Sequence, residues 1–418
     1  MRKPAKLGQA FNRLYASATA SHIADGVLST AAPLLATTLT QDPILIAGIA
    51  ALAMLPWLLF GIPLGALVDR VNRRLALAIA SGVKFSAAAG ISLAIATGHM
   101  NIWVLYVATF LIGTTEVVSD TAMQSMIPKL LKKNQLETGN SRLSIAQTIL
   151  GTFIGTPLGG LLYAVAIWVP FAFNAAGFLV SALLLLLIPI KVKKDFNRAS
   201  DTSHREPTHF VEDIKVGILH LWNDKKLLRL VITTASIGFT FNVGTATMVL
   251  FILNVLHVPA AYFGLIFTLE GVSGLISSIQ AASLSKRFGR GRVLAISITL
   301  CPLVIGLQGF ATNIYFFVAM LVIFGYLISL WNILLMSTYH ELIPNEMFGR
   351  VHGTRRTLVW GLMPFGSMIG GWIATFDLHA PFFVTGIFGT LIGLSAMRFI
   401  SKLQPKKLAE DNCALAIL

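Results

Sequence analysis

Gly61-Ile62-Pro63-Leu64-Gly65-Ala66-Leu67-Val68-Asp69-Arg70-Val71-Asn72-Arg73-Arg74 joins two apolar runs, each long enough to cross a bilayer, through a hinge of four charges. Charges at that density do not enter lipid, so the hinge marks a boundary between two spans. The same alternation runs outward in both directions. Of 418 residues, 55 % are hydrophobic and only 12 % charged, with a mean hydropathy of +0.76. A soluble domain carries about 25 % charge, so the composition is that of a polytopic membrane protein. At about 20 residues per crossing, a chain of this length with short connections has room for about twelve helices. The expected spans are 12–39, 43–68, 75–97, 101–126, 138–163, 167–190, 227–253, 259–284, 291–311, 315–341, 349–375 and 381–401.

The net charge of +14 is distributed by topology. Lys and Arg fall on the N-terminal tail, on Arg70, Arg73 and Arg74, on Lys129, Lys132, Lys133 and Arg142, and then on 191–229, 286–292, 350–356 and 398–407. All of these lie between spans on one side, whereas the opposite loops 40–42, 98–101, 164–170, 254–259, 311–315 and 376–381 contain no Lys or Arg. The asymmetry predicts that both termini are cytoplasmic and that the basic side contacts anionic lipid, with no role in nucleic-acid binding. The basic start MRKPAKLGQAFNRL runs into an apolar stretch too long for a signal-peptide core, so no cleavable leader is expected. Cys301 and Cys413 make no disulfide framework.

One polar interval, 191–226, divides the spans six and six. Its first part reads as a flexible linker; its second spaces Phe210, Ile214, Ile218, Leu221 and Trp222 as an amphipathic interfacial helix. The expected domains are 1–190, the linker 191–226, 227–402 and a tail 403–418. The halves echo each other. Asp69-Arg70-Val71-Asn72-Arg73-Arg74 is matched by Lys286-Arg287-Phe288-Gly289-Arg290-Gly291-Arg292. Met126-Ile127-Pro128, Arg142, Gly155 and Gly159-Gly160 are matched by Leu342-Ile343-Pro344, Arg355, Gly366 and Gly370-Gly371.

The hinge Gly65-Ala66-Leu67-Val68-Asp69-Arg70-Val71-Asn72-Arg73-Arg74 resembles the loop signature of the major facilitator superfamily, with Asn72 where that family usually has Gly, as a left-handed position would accept. Within it, Ala24-Asp25-Gly26, Pro33-Leu34-Leu35-Ala36, Leu55-Pro56-Trp57-Leu58-Leu59-Phe60-Gly61, Val211-Glu212-Asp213-Ile214-Lys215-Val216-Gly217 and Pro344 with Gly349-Arg350-Val351 are similar to the branch of enterobactin exporters and macrolide-efflux pumps. The resemblance implies an all-α membrane fold of twelve transmembrane helices in two pseudosymmetric six-helix bundles, with a site between them near mid-bilayer. It implies a gating latch of Gly65, Asp69, Arg70, Arg73, Arg74 and Asp120, with Gly65 for close helix crossing, Asp69 facing the N-terminus of the eleventh span, and Arg73 bridging to an acid at the inner end of the fourth span, for which Asp120 is well placed. It also makes Gly151-Thr152-Phe153-Ile154-Gly155-Thr156-Pro157-Leu158-Gly159-Gly160 similar to a fifth-span antiporter signature, with the proline one place late. Gly151, Gly155, Pro157, Gly159 and Gly160, with Pro364, Gly366, Gly370 and Gly371, are then expected to form two bending helices at the interface of the halves.

Four ionisable residues stand near mid-span: Asp25, Lys84, Glu116 and Glu270. A charge there is expensive unless paired, hydrated or neutralised, so these are the candidates for proton and substrate coupling. Lys84 is the natural partner of Asp25 or Glu116, while Glu270 has no cation at its depth; for each, an interhelical structural bond stays open. Arg142, Arg355 and Arg356 read as interfacial cations, one of which could meet Glu341 or an anionic substrate. His22 and His340 are possible titrating groups, and Trp57, Trp331, Trp360, Phe239 and Phe241 possible cavity aromatics. No nucleotide-binding loop, hydrolase motif or metal-ligand spacing occurs, so no enzyme activity and no cofactor are expected. The expected function is export of an amphipathic small organic molecule, drug or siderophore, by proton antiport and alternating access. The expected setting is a monomer in a bacterial inner or plasma membrane, partnered by substrate, protons and lipids. An importer or lipid flippase, or a non-transporting sensor or scaffold, are the alternatives.

Overall fold

The structure, a computed structural model, describes residues 7–132, 135–188, 218–343 and 348–403, and within them all side chains except those of residues 62, 65, 66, 69, 70, 137, 348–350 and 352. Its long helices are α1 (Gln9–Leu39), α2 (Pro43–Arg70), α3 (Arg73–Ala96), α4 (Ile102–Leu130), α5 (136–165, built of Leu136–Ile145, Ala146–Gly155 and Thr156–Val165) and α6 (Val169–Leu186). They continue as α7 (Lys225–Val255), α8 (Ala260–Phe288), α9 (Arg290–Gln308), α10 (Ile314–Leu342), α11 (348–374, built of Phe348–Gly361 and Met363–Ala374) and α12 (Ala380–Ser401). No strand occurs among the described residues.

Eleven of these helices are long and apolar enough to cross a membrane. The exception is α1, whose 31 residues reach about 46 Å at about 1.5 Å per residue but are diluted by Ser, Thr, His22 and Asp25. Large apolar side chains such as Trp103, Val165, Ile279 and Leu391 stand more than half exposed. Surface of that kind is at home against lipid. The expected amphipathic segment is described only from 218 onward, where Leu221 is buried and Trp222 exposed; Phe210 and Ile214 lie outside the described residues.

Helix starts follow from local chemistry. Asn101 accepts hydrogen bonds from the backbone N–H of Trp103 and Val104, Asp224 from those of Lys226 and Leu227, and Asn313 from that of Phe316, each satisfying N–H groups the first turn leaves free. The hinge at Asn72 corrects an expectation. Asn72 is extended, at φ −67° and ψ 106°, and its side chain accepts from Arg74 N–H. Its counterpart in the second half, Gly289, is the one in the left-handed region, at φ +85°. The two halves thus turn the same corner by different means, a side-chain cap and a free backbone.

The chain divides into two compact units. The first joins Met1–Gln41, Leu52–Val211 and Pro259–Thr268; the second joins Asp42–Ala51, Glu212–Val258 and Leu269–Leu418. In the first, α1, α3 and α6 pack around Ala24, Ala88, Ala175 and Phe178, and Leu14, Val68, Met126 and Leu185 form a further cluster toward the basic end. In the second, Leu230, Leu294, Trp331, Leu334 and Tyr339 form the main core.

Glycines set the helix crossings. A Cβ on Gly155 would lie 2.7 Å from Ile23 O, and one on Gly159 2.6 Å from Val27 O, so this face of α5 packs on α1 inside its own unit. On α11, Gly366 and Gly370 abut Phe239 O and Val243 O of α7 in the same way. The next residue along turns elsewhere. Gly160 meets Ala261 O at 2.9 Å, and Gly371 meets Pro43 O at 2.9 Å. The reason is the helical repeat. A four-residue spacing holds one face, whereas adjacent residues point about 100° apart. Both helices depart from regular α geometry: Ala146–Gly155 widens to a π-helix just before Pro157, and α11 is interrupted at Leu362, two residues before Pro364.

Candidate functional site

Asp25, Lys84 and Glu116 stand on three separate helices, α1, α3 and α4, and meet inside the first unit. Lys84 Nζ donates to Asp25 Oδ1 at 3.1 Å and also to Glu116 Oε2. Its side chain is 2 % exposed, whereas those of Asp25 and Glu116 are 29 % and 43 % exposed. The cation is therefore sealed in the packing and each carboxylate has an open flank. Ser21 Oγ donates to Asp25 Oδ2 one helical turn away, at 3.2 Å. Phe178 of α6 also faces Lys84, its ring centroid 5.3 Å from Nζ.

Chemically, one ammonium is shared by two carboxylates, a net charge of −1 when all three are ionised. A proton taken by either acid loosens its hold on Lys84 and removes the surplus charge. A cationic ligand group at the open flank would compete for the same carboxylates. His22 lies on α1 with its Cβ toward Gly151 of α5, beside this cluster.

Glu270 belongs to the second unit. It is half-buried on α8 and packs against Gly325 of α10, where an added Cβ would meet Glu270 Cγ at 2.6 Å. Among the described residues it forms no ion pair. Gln280 and Tyr326 link the same two helices further along, with Tyr326 Oη donating to Gln280 Oε1 at 2.5 Å.

The side chains of Gly65, Asp69 and Arg70, three members of the expected latch, lie outside the described residues. Arg73 and Asp120 are half-buried, and Asp120 Oδ2 accepts from Gln124 Nε2 at 3.2 Å. Arg74 has a partner the spacing gave no hint of: its guanidinium donates to Ile188 O and Leu186 O, both at 2.7 Å, and Arg13 of α1 donates to Leu187 O. Two cations thus clamp the carbonyl end of α6, where a positive charge is favoured. In the second half, Gly291 at the position matching Arg74 approaches the carbonyls of Ile400, Ser401 and Leu403 directly. Arg290, at the position matching Arg73, makes a two-pronged ion pair with Glu341. Glu341 is therefore taken by Arg290 rather than by Arg142, Arg355 or Arg356. Arg355 lies 4.4 Å from the ring centroid of Tyr339 and Arg356 4.2 Å from that of Trp360. Trp57 and Trp331 are buried, Trp331 in the second unit's core, and Phe241 stacks on Phe324.

The reading by spacing missed Phe178, Asn174 and the serines Ser17, Ser81 and Ser181, all buried around the triad. One signal was present: Asn174 and Ser181, seven apart in the apolar run of α6, mark one helical face. No group of His, Cys, Asp and Glu side chains among the described residues is arranged to hold a metal.

The sequence profile of the Major Facilitator Superfamily matches residues 14–365 and 230–412. Macrolide efflux protein A of Streptococcus pyogenes is 22 % identical over 374 residues, 87 % of this chain and 89 % of that protein. YfiS of Bacillus subtilis, an uncharacterized MFS-type transporter, is 24 % identical over 370 residues, 86 % of this chain and 84 % of its own length. Among solved structures, a mutant form of the nucleoside transporter NupG superposes with a TM-score of 0.77 at 13 % identity, covering 94 % of this chain and all of the other. A bacterial homologue of the iron transporter ferroportin superposes at 0.75 and 14 % identity, covering 96 % and 100 %. With its profile matched over most of its length and its helical fold shared with solved members, the chain belongs to the major facilitator superfamily of membrane transporters.

Proposed function

We propose that this protein is a secondary active transporter that exports an amphipathic small organic molecule, of drug or siderophore type, in exchange for protons. The observation that carries the reading is the buried Lys84 shared between Asp25 and Glu116. Three ionised groups inside a membrane helix bundle are costly to hold, and removing one partner of such a cluster costs about 3–5 kcal/mol. A merely structural tie between helices is made more cheaply by hydroxyls. The open flanks of the two acids give protons and cargo a place to act.

In this reading a proton on Asp25 or Glu116 relaxes the triad, and Glu270 serves as a second acid in the other unit, where no cation holds it charged. Arg73, Asp69, Arg70, Gly65 and Asp120 act as a latch on the basic side, with Arg74 fixing α6 beside it. α5 and α11 bend at their π-helical and interrupted segments as access alternates. The basic loops and both termini are cytoplasmic, in the inner or plasma membrane of a bacterium, with lipid and substrate as partners of a monomer. The name of the streptococcal relative supports export and suggests macrolides as the first compounds to try.

The test is a panel of macrolides, cationic dyes and siderophores given to cells lacking their own pumps. Cells producing the chain should accumulate at least one compound several-fold less than cells without it, and Lys84→Ala should abolish the difference. Greater accumulation in producing cells would mean import. No difference for any compound would contradict transport of this class.

A further inference from the structure

One face of α6 carries Asn174, Phe178 and Ser181, none more than 2 % exposed. Opposite them stand Ser17 of α1 and Ser81 and Lys84 of α3, also buried. The Ser181 hydroxyl lies 2.8 Å from that of Ser17 and 3.3 Å from that of Ser81, and Ser17 Oγ also donates to Ser181 O at 3.1 Å. Other hydroxyls that reach across helices, such as those of Thr30 and Thr385, donate singly to a backbone carbonyl, and many stay within their own helix. Ser86, Thr114, Thr121 and Thr234 each donate back to a carbonyl four residues earlier in their own helix, the ordinary way to bury a hydroxyl in an apolar helix. Here three hydroxyls from three helices face one another instead.

On the other side of Phe178, one turn back along α6, the seam holds an unsatisfied amide. Asn174 is fully buried, and among the described residues neither its Oδ1 nor its Nδ2 has a hydrogen-bond partner. Burying both ends of an amide without partners is strongly unfavourable, and an ordered internal water is the usual remedy. Asn174 and Ser181 are seven residues apart, about 10 Å along the helix. Phe178, between them, is the residue whose ring faces the Lys84 ammonium.

We propose that the seam between α1, α3 and α6 is a hydrated proton path to the triad, separate from the open flanks of Asp25 and Glu116. A water held by Asn174 lies on one side of Phe178 and the Ser81, Ser181 and Ser17 hydroxyls lie on the other. Each hydroxyl or water oxygen accepts a proton on a lone pair and releases its own to the next, so the chain passes charge without net change. A proton arriving on a hydroxyl or water beside Lys84 passes to it as Lys84 hands one of its own to Asp25 Oδ1 or Glu116 Oε2, with which it is already hydrogen-bonded, so Lys84 ends as an ammonium and the acid ends protonated. His22, also on α1, faces α5 and lies off this line. The inference rests on the proton-coupled reading above and adds the route.

Two readouts on the full chain in liposomes test it. Radiolabelled erythromycin is moved either by an imposed proton gradient or by counterflow, which needs no net proton movement. Asn174→Leu keeps the volume and removes the amide; it should slow gradient-driven movement by about tenfold or more while leaving counterflow unchanged. Ser181→Ala, the second variant should the first fail to insert, should do the same. Separately, X-ray hydroxyl-radical labelling should oxidise the fully buried Phe178 in the parent, through its neighbouring water, and not in Asn174→Leu. Gradient-driven movement at parental rate in both variants, equal loss in both modes, or an unlabelled parental Phe178 would each overturn the hydrated path. A parent that ignores the gradient would contradict the proton-coupled function itself, and Phe178 labelling would still decide the hydration.

Discussion

Removing the ammonium of Lys84 leaves Asp25 and Glu116 on facing helices with no cation between them. Lys84→Ala should therefore destabilise the protein by about 3–5 kcal/mol, seen as a lowered thermal unfolding midpoint in detergent. Replacing the whole set, Asp25→Asn with Lys84→Met and Glu116→Gln, should recover most of that loss while abolishing transport. A triple variant no more stable than Lys84→Ala would mean that the lysine contributes by packing alone. Arg74→Ala, which frees two carbonyls at the end of α6, should cost only about 1 kcal/mol, because water reaches that end of the helix. The mid-span charges stood out in the sequence because an ionised side chain in an apolar run is rare, and Lys84 was the one cation at the depth of the acids. Arg74 and Asn174 were not legible in the same way. Their significance depends on what lies beside them in space: more than a hundred residues away for Arg74, and for Asn174 the lack of any hydrogen-bond partner among the described residues.

Among the helices, α5 carries the clearest consequence. A Cβ at Gly155 would come within 2.7 Å of Ile23 O and 2.9 Å of Gly26 Cα, both backbone atoms that cannot yield without moving α1. Gly155→Ala should cost about 1–3 kcal/mol and reduce transport, whereas Gly90→Ala on α3, with nothing within 4 Å, should be neutral or slightly stabilising. Similar unfolding midpoints for the two variants would contradict the tight crossing. Helix ends were readable to within a few residues from apolar length, since bilayer thickness fixes how long each span must be. The neighbour of each glycine face was not. A stripe of glycines announces that some helix crosses closely, and only the packed chain decides that it is α1 for α5 and α7 for α11. The turn at Asn72 shows the same limit: a polar side chain able to cap can replace the backbone freedom that Gly289 supplies in the matching loop.

For the whole molecule, the duplication was legible as repeated wording around the hinges and paired glycines, and the packing repeats it, Gly159 and Gly160 behaving as Gly370 and Gly371 do. The proposed sidedness rests on the same charge pattern. In a background without cysteine, single cysteines at His99 and Phe376 should react with an impermeant thiol reagent added outside cells, and cysteines at Asn72 and Gly289 only after the membrane is opened. Labelling of position 72 from outside would overturn the orientation on which proton entry depends. Exchange of protons for an organic solute is the central claim, and it is measured by reconstituting the protein in liposomes loaded with a pH-sensitive dye and imposing a macrolide gradient. The parent should shift the lumenal pH in step with macrolide movement, and Asp25→Asn and Glu270→Gln should each reduce that shift by about tenfold or more. A macrolide flux with no accompanying pH change, or one whose proton movement survives both substitutions, would contradict it.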